Sequence, residues 1–62
     1  MKAYKEFNMV DKVDQARETA KARGFKDIVA SVPATFYVDL ICKYNGRGCI
    51  ARVYDDGQIE MS

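Results

Sequence analysis

The chain has no histidine, one proline and two cysteines among its 62 residues. Without histidine the usual base for activating a serine or cysteine nucleophile is missing, and neither Ser31 nor Ser62 has another activator in view. Structural zinc normally takes four Cys or His ligands, so two cysteines and no histidine exclude it. The Cys42-to-Cys49 spacing is not a CxxC redox motif. Gly46-Arg47-Gly48 lacks the GxxxxGK[ST] spacing of a phosphate loop, and Asp55-Asp56-Gly57 is ordinary turn chemistry rather than a catalytic carboxylate pair. No apolar run approaches the roughly 20 residues that span a bilayer. The first residues lack the apolar core of a signal peptide, so the expectation is a cytoplasmic protein in a reducing compartment. Nothing calls for a cofactor or a metal, and the residues point to a non-enzymatic protein.

What is present fits one domain, residues 1–62, without repeats, linkers or low-complexity segments. A chain this short is near the lower limit for independent folding and buries only ~60% of its unfolded surface. A hydrophobic content of 48% argues against disorder. The net charge of +1 is neither a nucleic-acid magnet nor an acidic mimic of DNA. It is unevenly spread: residues 1–26 hold seven basic and four acidic side chains, and residues 27–62 hold three and five.

Phe36 to Met61 organises the chain. Asn45-Gly46 is a strong signal for a type I′ hairpin, which needs positive φ at both central residues. With that turn, Cys42 faces Cys49, Ile41 faces Ile50, Asp39 faces Arg52 and Tyr37 faces Tyr54. Such cross-strand pairs contribute roughly 0.2–1 kcal/mol each. A Gly46-Arg47 turn would oppose Asp55 to Val38 and lose the ion pair. Asp55-Asp56-Gly57 fits a three-residue loop with glycine in the left-handed region, setting Val53 against Ile59 and Arg52 against Glu60. A two-residue Asp56-Gly57 turn would oppose Val53 to Glu60. Both hairpins then agree on a core face (Val38, Leu40, Cys42, Cys49, Ala51, Val53, Ile59, Met61) and on an amphipathic opposite face. The cysteines are cross-strand neighbours, which invites a disulfide; in a reducing cell they serve as small buried hydrophobes.

Before the meander, Lys2 to Met9 alternates weakly and reads as a strand, with a helical extension as the competitor. Asp11 to Arg23 reads as a helix of strong helix formers, capped by Asn8 or Asp11 and closed by Gly24. Val10, Val13, Ala16 and Ala20 form its narrow apolar stripe, and Phe25 is expected to fold back onto the helix end. Ile28 to Val32 reads as a short strand with Ile28, Ala30 and Val32 in phase, ended by Pro33. The fold class is therefore α+β: a small antiparallel sheet of four to five strands, β-α-β-β-β-β, with one helix packed on one face.

One helix leaves the other sheet face uncovered. That face would show Tyr37, Ile41, Ile50, Arg52 and Tyr54, and exposed aromatics beside arginine are common chemistry for protein contacts. Lys43 and Arg47 at the hairpin tip could add charge steering. The bland alternative is a strand surface that simply shows tyrosine to water. Aromatics on a sheet also suit single-stranded RNA, but Asp39 and Glu60 would repel phosphate and no RNP1-like motif is present. A protein partner or a homodimer through this face fits better, with strand addition at the Gly57-to-Met61 edge as a further route. The alternative is a nucleic-acid-binding regulator using Lys12, Arg17, Lys21, Arg23 and Lys26 on phosphates. For those cations the ordinary reading is a solvated helix face with Asp14 and Glu18 as partners.

In size and element order, a VDQARETAKARGF helix followed by strands with YNG and YDDGQIE turns, the chain resembles small phage-encoded accessory proteins, certain anti-CRISPR inhibitors among them. The resemblance covers most of the chain and carries no functional residue across. It implies a non-enzymatic inhibitor in the host cytoplasm that occludes a surface on a host nucleoprotein defence complex.

Overall fold

This computed structural model describes residues 8–62. Its elements are α1 (Asn8–Ala22), β1 (Phe25–Pro33), β2 (Tyr37–Tyr44), β3 (Arg47–Tyr54) and β4 (Ile59–Met61). The strands form one antiparallel sheet in the order β1-β2-β3-β4, and α1 packs over β1, β2 and β3. The α+β class and the single-helix layer are those the sequence implies. Of the strand expected over Lys2 to Met9, residues 2–7 lie outside the described residues. Asn8 and Met9 belong to the helix, which starts earlier than Asp11. The competing helical extension holds there, because nothing in Asn-Met-Val interrupts a run of helix formers.

The helix closes where glycine permits it. Gly24 takes φ 97° and donates its N–H to the Lys21 carbonyl at 3.1 Å, satisfying a carbonyl at the helix end. Phe25 then turns under the helix into the core and packs on Tyr44 with ring centroids 4.7 Å apart. Ala16 and Ala20 are buried against the sheet; their small side chains let the helix approach closely.

Both hairpins have the expected register. Asn45 and Gly46 take φ of 54° and 80°, and pairing runs outward from Tyr44 with Arg47 to Tyr37 with Tyr54. In the second turn Gly57 has φ 93°, its N–H donates to the Tyr54 carbonyl at 2.9 Å, and the Tyr54 N–H donates to Gln58 at 2.8 Å. This is a three-residue loop with a glycine bulge, and it sets Val53 against Ile59 and Ala51 against Met61.

Strand β1 departs from the expected one. It is longer, and its pairing jumps from Lys26 with Lys43 to Ala30 with Ile41. Three residues of β1 thus oppose Cys42 alone, with Asp27 at φ 52°. This bulge breaks the two-residue period. Ile28 packs toward the core, whereas Ala30 and Val32 share a face with Ile41 and Asp39 on the side away from the helix. The expectation that Ile28, Ala30 and Val32 act in phase is therefore corrected. Ser31 takes the core-side position opposite Leu40, with its hydroxyl buried and without a hydrogen-bond partner among the described residues.

The core is Ala16, Ala20, Phe25, Val38, Leu40, Cys42, Ala51 and Val53, with Val13, Ile28, Tyr44, Cys49 and Ile59 around it. Leu40 and Val38 are the largest side chains buried completely, each contributing ~1.5–3 kcal/mol. Met61 has the expected register but stays 53% exposed. Lys12 fastens helix to loops: its ammonium donates to the carbonyls of Ala34 and, at 2.6 Å, Thr35, and lies 3.5 Å from Asp55 Oδ1.

Candidate interaction surface

The side of the sheet away from α1 is built from the alternate residues of each strand, because successive side chains point to opposite faces. Strand β2 supplies Tyr37, Asp39, Ile41 and Lys43, and β3 supplies Gly48, Ile50, Arg52 and Tyr54. Glu60 of β4 and Ala30 and Val32 of β1 flank them.

One end of this face is a connected polar-aromatic cluster. Arg52 donates from Nε to Asp39 Oδ1 at 2.9 Å and from Nη2 to Oδ2 at 3.2 Å. Its guanidinium carbon lies 3.9 Å from the Tyr37 ring centroid, a cation–π contact. Tyr37 meets Tyr54 edge-on, with centroids 5.8 Å apart, and the Tyr54 hydroxyl donates to Glu60 Oε1 at 2.8 Å. The bidentate Asp39 contact pushes the Arg52 pKa further up. The hydrogen bond to Glu60 raises that of Tyr54, because ionisation would place two anions side by side. The cluster holds Arg52 and both tyrosines in fixed orientations.

The middle of the face is apolar and wet. Ile41 and Ile50 oppose each other and remain 44% and 43% exposed, with Val32 close by at 56%. At the far end Lys43 sits opposite Lys26, both exposed. Sequence reasoning missed Val32, because the bulge that turns it outward has no signal in the residue pattern. Of the expected surface residues, Tyr37, Ile41, Lys43, Ile50, Arg52 and Tyr54 share this face. Arg47, opposite Tyr44, belongs by register to the helix side at the hairpin tip.

The cations of the alternative reading do not form one strip. Lys12 is half-buried in its contacts with the loops, and the Arg23 guanidinium donates to the Gly57 carbonyl at 3.0 Å. Lys21 lies 3.7 Å from Glu18, Arg17 is half-buried, and Lys26 faces the other side of the sheet.

A shallow groove between α1 and the β3–β4 turn has Ala16, Val38 and Val53 as its floor and Lys12 and Asp55 at its rim. The ammonium of Lys12 is already engaged there. Cys42 is buried and Cys49 half-buried; burial, reinforced by Cys49, pushes the Cys42 thiol up to about 11. Among the described residues no three Cys, Asp or Glu side chains are grouped to hold a metal, and no helix is long and apolar enough to cross a membrane. No protein-family model, curated protein or solved structure matches the chain.

Proposed function

We propose that the chain is a small non-enzymatic protein-binding module that docks through the sheet face away from its helix. The observation that carries this reading is the Ile41–Ile50 pair, left wet beside the fixed Arg52–Tyr37–Tyr54 cluster. Apolar area beside aromatics and arginine is what protein interfaces are enriched in. Asp39 and Glu60 on the same face oppose phosphate, and the helix cations are divided among separate contacts, so the geometry favours protein over nucleic acid. An inhibitor that occludes a surface on a larger host complex in the cytoplasm is the role we attach to it. For that role we draw on the resemblance in size and turn sequences to small phage-encoded accessory proteins.

The test is affinity capture from bacterial lysate, with and without nuclease, using the wild type and a Tyr37→Ala/Tyr54→Ala double variant. A partner retained after nuclease and lost with the double variant supports the reading. Retention only while nucleic acid is present transfers the activity to the basic residues. A partner held equally by both proteins removes this face from the function.

A further inference from the structure

We infer that the sheet face is self-complementary and that its occupant is a second copy of the chain, packed face to face about a twofold axis. This rests on the reading above that the face is a protein-contact surface, and it names the partner.

The geometry follows from the register. Consider an axis running across the strands through the Ile41–Ile50 pair. It lays β2 on β2 and β3 on β3 in opposite directions, and the two isoleucine pairs meet at the centre. Lys43 is two residues from Ile41 toward the turn, and Asp39 is two residues the other way. Each step is ~6.8 Å along the strand, so the axis brings Lys43 of each copy over Asp39 of the other. On β3 the same operation brings Gly48 over Arg52. Sheets stack ~10 Å apart, a gap that a lysine and an aspartate span together.

Three features fit this arrangement. The first is Gly48. Its backbone is not in the left-handed region, and a Cβ added there would meet nothing within 4 Å. No contact among the described residues calls for glycine, which weakens a strand and often marks close approach of another chain. Arg52 of the second copy, raised on the Tyr37 ring, is what requires the space. The second is the pairing of Lys26 with Lys43. Like charges directly opposite are destabilising, and a carboxylate from a second copy relieves the cost. The third is the core: three of its eight buried residues are alanine. Small domains compensate for a thin core with disulfides, metals or association, and the two cysteines here are free thiols. The area fits a weak dimer rather than a tight one. Three strands of eight or nine residues and one of three present a flat surface of roughly 450 Å² before side-chain relief is added, short of the ~800 Å² per partner of a standard interface.

The experiment is analytical ultracentrifugation over a concentration series. The wild type should reach twice the 7.0 kDa chain mass. Gly48→Arg, at an exposed position where a Cβ would meet nothing within 4 Å among the described residues, should remain folded by circular dichroism and weaken the dimer by at least about tenfold. Lys43→Asp and Asp39→Lys should each weaken it, and an equimolar mixture of the two should restore it, because a heterodimer then pairs opposite charges at both contacts. If Asp39→Lys does not fold, Lys43→Asp and Gly48→Arg decide the matter alone. A wild type that stays monomeric throughout, or a dimer indifferent to Gly48→Arg and Lys43→Asp, overturns the proposal. If that monomer still captures another protein that Tyr37→Ala/Tyr54→Ala loses, the docking face stands and only the second copy is wrong. If capture is also indifferent, both readings fall.

Discussion

The Sγ atoms of Cys42 and Cys49 lie 3.9 Å apart across β2 and β3, with Cys42 sealed beneath the helix and Cys49 reaching partial exposure. Alkylation under mildly alkaline, non-denaturing conditions should therefore modify Cys49 first. Cys42 should react only as fast as the chain opens, and peptide mass spectrometry reads the order. Equal rates at the two thiols would contradict the burial of Cys42.

The same thiol gives a pH dependence of known sign. The Cys42 pKa is raised from 9.0 to about 11 in the fold. Between those values the unfolded chain has lost the proton and the folded chain still holds it, so stability is fully present below 9.0 and falls as pH rises toward 11. Urea midpoints measured across that window should decline. In Cys42→Ala this component of the decline should be absent, although that variant starts from lower stability because it leaves a small void.

Lys12 holds three segments together, since its ammonium reaches the β1–β2 connection and Asp55 while the Asp55 N–H donates to the Phe36 carbonyl at 3.0 Å. Lys12→Met keeps the stem and removes the charge. It should cost about 1–2 kcal/mol, because a hydrogen bond to a charged group is lost and the side chain is largely sheltered. In a domain of this size that lowers Tm by roughly 4–8 °C per kcal/mol. A melt unchanged by the substitution would show that the two loops hold without it.

The turn at Asn45-Gly46 separates two substitutions. Gly46→Ala forces a Cβ into the left-handed region at φ 80°, costing ~1–2 kcal/mol. Asn45→Gly should cost much less, since glycine adopts φ 54° freely. Chemical denaturation of the pair should rank them in that order.

Leu40 is the largest side chain in the core with no exposed surface. Leu40→Ala should cost ~2–5 kcal/mol. Single domains have only ~5–15 kcal/mol to lose, and a small one sits at the low end. Loss of the cooperative thermal transition near body temperature is the expected result.

The meander was legible because its signals are local and mutually consistent. Asn-Gly and Asp-Asp-Gly fix the turns, and Asp39 opposite Arg52 confirms the register that the turns impose. The helix was legible in type but not in its start, since Asn8 and Met9 read equally as the end of an alternating strand. The β1 face was not legible. A bulge at Asp27 depends on how Phe25 is drawn into the core and on where Pro33 must finish, and neither constraint is visible in a window of five residues. The Tyr37–Arg52–Asp39 and Tyr54–Glu60 contacts were readable as neighbours from the register. Their hydrogen bonds and stacking needed side-chain positions.

The bulge in β1 has a consequence for the chain in a crowded cell. An open sheet offers its outer strands as templates on which other chains can grow into fibrils. Here one outer strand is interrupted at Asp27 and ends in Pro33, and the other runs for three residues, Ile59–Met61. A strand laid against either side finds a broken or brief ladder of hydrogen bonds. Growth along the sheet is discouraged at both margins.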